Sequence, residues 1–131
     1  MTVKYAITEA NENDIVFVEF PHGLKIDLVK AKEMVASRLD LTQSKKHFVI
    51  IDISNVKEVS KEAKEFLQQS ETGLKNILGA AFIASNPVAT LIANIFIKAP
   101  KNFKAKFFYN KKDAFDWICE HREKLKGSIP G

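Results

Sequence analysis

A chain of 131 residues, 46% apolar and 27% charged, has the length of one domain and apolar side chains enough for one buried core, which excludes a disordered polymer and a fold that depends on staples. Its formal charge of +4 rests on lysine, with arginine only at Arg38 and Arg122, so the bidentate base and phosphate readers expected of a nucleic-acid binder are scarce and none is assigned. One cysteine, Cys119, rules out an internal disulfide framework, and no apolar run is long enough to span a membrane.

Lys4 is followed by no apolar h-region before the polar cluster Glu9–Asp14, so no signal peptide is expected and the expected location is cytoplasmic. Val3 to Thr8 alternates weakly and reads as a first strand, and Ile15 to Phe20 as a second, joined to it in an N-terminal β-hairpin. Pro21, His22 and Gly23 end the hairpin. Asp27 is placed to cap a helix in which Leu28, Ala31, Val35 and Leu39 recur at helical spacing, leaving Lys30, Lys32, Glu33 and Arg38 to solvent. Thr42 to Lys46 is a polar connection, and His47 to Ile53 is a short continuous apolar run of the kind found in central strands.

Ser60 reads as the cap of a second helix whose stripe runs through Ala63, Phe66, Leu67, Ser70, Leu74 and Ile77, with Gly73 as a point of weakness. Leu78 to Ala84 is a further buried strand, and its small residues Gly79, Ala80 and Ala81 allow a helix to cross closely over it. Asn86 and Pro87 form a strong helix start, because proline at the first helical position forfeits an N–H that has no partner there anyway. That helix runs to about Lys98. Phe103 to Tyr109 is the last strand. Asn110 and Asp113 are spaced as a capping pair for a final helix with Ala114, Trp117, Ile118, His121 and Leu125 on its inner face. Cys119 lies in this helix and reads as a small buried hydrophobe. Residues 127–131 read as a flexible C-terminal tail after a domain spanning 1–126. The order is β-β-α-β-α-β-α-β-α. It predicts a single α/β domain, a mixed central sheet with an antiparallel edge strand and about four helices.

Three stretches carry a family likeness. Val49–Leu67 (VIIDISNVKEVSKEAKEFL), Ala80–Lys98 (AAFIASNPVATLIANIFIK) and Phe107–Ile118 (FFYNKKDAFDWI) resemble the strand–loop–helix units of the anti-sigma-factor-antagonist (STAS) superfamily. The resemblance covers roughly residues 3–125 and is to the divergent bacterial branch sometimes compared with lipid-transfer CRAL-TRIO-type domains. It implies a STAS-like fold and a non-enzymatic regulatory or protein-docking role. In phospho-regulated members an Asp-Ser-Ser-Gly motif opens the second helix. Here the matching positions are Ser60, Lys61, Glu62 and Ala63, so the phosphorylated serine has no counterpart. What the resemblance then implies is the fold and its use as a docking surface.

Two places stand out as candidate sites. Ser54, Asn55, Ser60, Lys61 and Glu62 surround the loop after the FVIIDIS strand, where open α/β sheets receive partners. Turn and cap chemistry accounts for Ser54, Asn55 and Ser60; a contact with a partner or small anion is the functional reading. The helix after Pro87 is apolar around most of its circumference, with Val88, Leu91, Ile92, Ile95 and Phe96 prominent. It is open to three explanations: burial on both faces, a homodimer interface, or contact with lipid or an apolar ligand. Lys98, Lys101, Lys104 and Lys106 follow it and would favour peripheral contact with an anionic surface. Zinc spacing, a nucleotide-binding glycine loop and a nucleophile–base set are all missing from the sequence, so no metal, cofactor or catalytic residue is assigned. The expected function is a STAS-like interaction module with an unidentified protein partner or a second copy of itself. A carrier or sensor of a small apolar or lipid-like ligand is the alternative, and an orphan hydrolase a distant third.

Overall fold

The computed structural model describes residues 6–9 and 14–127. β1 (Ala6–Glu9), β2 (Ile15–Glu19), β4 (His47–Asp52), β6 (Ile77–Ile83) and β7 (Lys104–Phe108) form a five-stranded sheet in the order β1-β2-β4-β6-β7. β1 is antiparallel to β2, and the other three pairings are parallel. This is the mixed sheet with an antiparallel edge and an N-terminal hairpin that the sequence predicts. Val3 to Tyr5, assigned to the first strand, lie outside the described residues.

Strand alternation sorts the core onto two faces. Val16, Val18, Val49, Ile53, Ala80 and Phe82 face three helices: α1 (Leu28–Leu41), α2 (Lys61–Leu67) and α3 (Pro87–Lys98). Ile15, Phe17, Phe48, Ile50, Ala81 and Ile83 meet Ala114 and Ile118 of α4 (Lys111–Gly127). Gly79 marks the closest approach on that second face. A Cβ there would lie 2.9 Å from His121 Cδ2 and 3.1 Å from Phe48 Cδ1, so the helix crosses over the small residues as expected.

The helix starts follow their local signals. The Asp27 carboxylate accepts from Lys30 N at 2.9 Å, the Ser60 hydroxyl from Ala63 N at 3.1 Å and the Asn86 side chain from Ala89 N at 2.9 Å. Asn110 and Asp113 bond reciprocally: Asn110 Oδ1 accepts from Asp113 N at 2.8 Å, and Asn110 Nδ2 donates to Asp113 Oδ2 at 3.1 Å. At the other end, α4 includes Gly127, and residues 128–131 lie outside the described residues.

Two differences from the sequence reading matter. First, α2 ends at Leu67 instead of running towards Ile77. The chain doubles back so tightly that a Cβ on Gly73 would lie 2.1 Å from Leu67 O. Gly73 N and the Thr72 hydroxyl both donate to Phe66 O, closing the helix end, and Leu74 and Ile77 point into the core from a turn and a strand. Second, β3 (Leu24–Ile26) and β5 (Val56–Val59) form an unforeseen two-stranded parallel sheet. Ile26, Val56 and Val59 anchor it in the core while Lys25, Lys57 and Glu58 face out.

Candidate functional site

The loop after β4 lies at the carboxyl ends of the parallel strands. Its polar side chains are bonded to neighbouring chain segments. Ser54 N donates to Asp52 Oδ1 at 3.0 Å, Ser85 N donates to the Ser54 hydroxyl at 3.1 Å, and Asn86 Nδ2 donates to Ser54 O at 2.7 Å. Asn55 Nδ2 donates to Phe20 O at 3.0 Å, and Asn55 O accepts from Gly23 N at 2.8 Å. Ser60 is committed to its cap. Ser54 and Asn55 therefore tie together the ends of β2, β4 and β6 and the start of α3, while Ser60 caps α2 and its N–H donates to Ile26 O of β3. Lys61 and Glu62 stand exposed beside them on the first turn of α2.

α3 divides the five apolar residues singled out on it. Val88, Leu91 and Ile95 follow one another at helical spacing along its outer side and are 48%, 67% and 37% exposed. Ile92 is buried, and Phe96 stacks on Phe82 with ring centroids 6.0 Å apart. Ile92 and Phe96 line an interior cavity and do not share the outer surface.

That cavity, about 90 Å³ in volume, lies between the sheet and helices α1–α3. Val18, Val49, Ala80, Phe82 and Leu67 are among its apolar walls. Two cations also line it, Arg38 and Lys101. Arg38 is not the solvent-facing residue its charge suggests: it is only 7% exposed. It follows Ala31 and Val35 at helical spacing on the buried side of α1, and that spacing was the signal available in the sequence. Its guanidinium donates to Gly73 O at 3.1 Å and Lys75 O at 2.9 Å, pinning the turn that follows α2, while the buried Nε–H has no acceptor among the described residues. Burial pushes its pKa down to about 10. Lys101 Nζ donates to Ile97 O and Ala99 O at the end of α3, and burial lowers its pKa too.

At the amino-terminal ends of β4, β6 and β7 lies an open cleft of about 630 Å³. Leu74, Ile77, Lys101 and Phe103 line both the cavity and the cleft, so the two adjoin. The cleft carries Lys46, Lys75, Lys101 and Lys104 against one carboxylate, Glu71. His121 closes its far side, stacked on Trp117 with centroids 5.1 Å apart, and burial followed by the charges of Lys104 and Lys124 lowers its pKa. His47 is wholly buried nearby. Its Nδ1 lies 2.8 Å from Lys45 O, and burial lowers its pKa first, with the Arg38 charge adding to the effect and the Lys45 contact opposing it.

Among the described residues no group of three or more His, Cys, Asp or Glu side chains could hold a metal ion, and no helix is long and apolar enough to cross a membrane. The arrangement offers an apolar interior, two lining cations that face no carboxylate among the described residues, and an exposed apolar ridge.

The chain belongs to the family described as a domain of unknown function (DUF7793), whose model matches residues 10–122. Among solved structures it is similar to an uncharacterised protein of the DUF3478 family with a SpoIIAA-like fold from Shewanella loihica PV-4. The two are 22% identical, with a TM-score of 0.62 over 88% of this chain and 92% of that one. This likeness shows the fold, which is the STAS-like α/β arrangement expected from the sequence. No curated protein matches.

Proposed function

We propose that the protein is a non-enzymatic interaction module of the STAS-like type, one unit over residues 1–126, that docks a cytoplasmic protein partner through the outer side of α3. The observation that carries this reading is the ridge of Val88, Leu91 and Ile95, large apolar side chains left in solvent along one line of a helix. The helix is held firmly at its start, because its cap Asn86 is bonded to Ser54 and the Ser54 hydroxyl accepts from Ser85 N. Those bonds bring the Ser54 end of the loop to the start of the ridge helix, and we take the Ser54–Glu62 loop, with exposed Lys61 and Glu62, as the charged part of the same docking surface. A second copy of the chain is the first partner to test, since an apolar ridge is readily self-complementary about a two-fold axis. Sedimentation of the native protein across a wide concentration range tests this. A concentration-dependent dimer that Leu91→Asp abolishes supports it, and a monomer throughout removes self-association.

A second reading is that the protein carries or senses a small apolar or lipid-like ligand, and the apolar cavity beneath α3, which opens towards the lysine-lined cleft, favours it. Ile92 and Phe96 on the inner side of α3 touch the same space whose outer side bears the ridge. A ligand in the cavity would press on the helix that docks the partner. Native mass spectrometry of protein purified from its own cells tests this reading, through a small adduct that is lost on denaturation.

A further inference from the structure

A buried arginine normally faces a carboxylate, because an ionised group removed from water loses more solvation than neutral carbonyls return. Arg38 faces none among the described residues. It stands at the wall of an apolar cavity with its Nε–H unpartnered. Lys101 lines the same cavity and also rests on carbonyls. Both cations lie towards one end of the cavity. Arg38 grips the 73–75 turn, Lys101 precedes β7, and Leu74 and Lys101 belong to the opening onto the lysine-lined cleft. Towards the opposite end the walls are Val18, Phe20, Ile53 and Val56, all apolar. One molecule matches that polarity: hydrocarbon at one end and an anion at the other.

We propose that the cavity takes the tail of a single-chain fatty carboxylate, with its headgroup at the opening between Arg38 and Lys101. This rests on the carrier reading above and names its ligand class. The carboxylate gives Arg38 and Lys101 an anion that neither has among the described residues, and the lysines of the cleft draw it in from solution. The cavity, about 90 Å³ in volume, is smaller than the roughly 150 Å³ apolar cavity that admits benzene, so it holds the end of a chain. The remaining methylenes lie along Leu74, Ile77 and Phe103 at the opening. Arg38 and Lys101 are the specificity-determining residues of this site, and Ala105 is the wall position where added volume blocks it.

The test is titration calorimetry of the full chain with octanoate, 1-octanol and acetate, which separate charge from tail. Octanoate is expected to bind saturably and at least about tenfold more tightly than octanol, the margin of one charge-assisted hydrogen bond, and acetate not measurably. Lys101→Gln is expected to remove most of the octanoate advantage while leaving octanol binding in place. Ala105→Leu is expected to weaken both. Arg38 also pins the 73–75 turn, so Arg38→Gln is scored only where thermal unfolding shows it folded, and Lys101→Gln keeps the proposal falsifiable without it. Octanol binding as tightly as octanoate overturns the headgroup assignment and leaves the carrier reading standing. Binding of neither overturns both. Acetate binding as tightly as octanoate reduces the cleft to a simple anion site and overturns the role of the tail.

Discussion

Each face of the central sheet buries one arginine, and the two are treated differently. On the α4 face Arg122 meets Asp14 at 3.0 Å, with the arginine 7% and the aspartate 25% exposed. Across the sheet Arg38 is equally buried but rests on the carbonyls of Gly73 and Lys75. Packing follows the same division. The α4 face is closed by rings: Phe48 edge-on to His121 at 6.0 Å, His121 stacked on Trp117, and Gly79 without room for a Cβ. The α1–α3 face holds the cavity. Space and a buried arginine that faces no carboxylate among the described residues occur together on one face, and the proposed ligand site rests on that coincidence.

The largest test of this contrast is a pair of aromatic truncations. Phe48, 2% exposed against His121, is expected to cost about 4 kcal/mol when changed to alanine, because its rigid neighbours cannot close the hole. Phe96→Ala only widens an existing cavity around a half-buried ring, and about 2 kcal/mol is expected. Urea unfolding measures both, and equal losses would mean that the two faces are packed alike.

A smaller and sharper test uses two adjacent residues of β6. Ala80 and Ala81 are 3% and 0% exposed and project to opposite faces. Ala81→Val adds volume to the closed face and is expected to cost about 2 kcal/mol. Ala80→Val adds the same volume beside the cavity and is expected to change stability by less than about 0.5 kcal/mol. The reverse ranking would place the spare volume on the wrong side of the sheet.

Acidification probes the charged surroundings of each face. His47 and His121 both have pKa values held below the ordinary 6.5, so below that pH the unfolded chain binds more protons than the folded one. Stability is therefore flat above about pH 6.5 and falls as pH drops through the depressed folded values. For His47 the opposing charge is Arg38; for His121 it is Lys104 and Lys124. His47, wholly buried, is expected to account for more of the slope, so His47→Gln should flatten the stability curve below about pH 6.5 more than His121→Gln does.

Local signals made much of this fold legible. Asp27, Ser60, Asn86 and Asn110 cap helices through bonds spanning three residues, and short-range spacing is enough to find them. The strand order β2-β4-β6-β7 follows from alternation with helices. What escaped depends on distant partners. β3 and β5 are three and four residues long, with solvent-facing Lys25, Lys57 and Glu58, and neither reads as a strand without the other beside it. Leu74 and Ile77 fit a helical period with Phe66 and Leu67, yet the turn closed by Thr72 and Gly73 breaks that period. Arg38 reads as a surface charge because its carbonyl partners are 35 and 37 residues away. Ser54 and Asn55 stand out in the sequence through their place at a strand end, and their side chains bond neighbouring chain segments.

The smallest expected effect on stability concerns α3, where the contrast between filled and open space recurs across one helix. Leu91 is 67% exposed and Ile92 7%, although they are neighbours in sequence. Leu91→Asp removes an apolar side chain from water and leaves the core untouched, so monomer stability is expected to change by less than about 0.5 kcal/mol. The same substitution sets a charge at the centre of the ridge, and partner binding should fall by two orders of magnitude or more, about 3 kcal/mol, as at a buried interface anchor. Unfolding and sedimentation measurements on this one variant separate the two roles. A large loss of stability would mean that Leu91 packs within its own chain. Unchanged stability with unchanged association would leave the ridge without a docking role, and would shift the weight to the cavity on the inner side of the same helix.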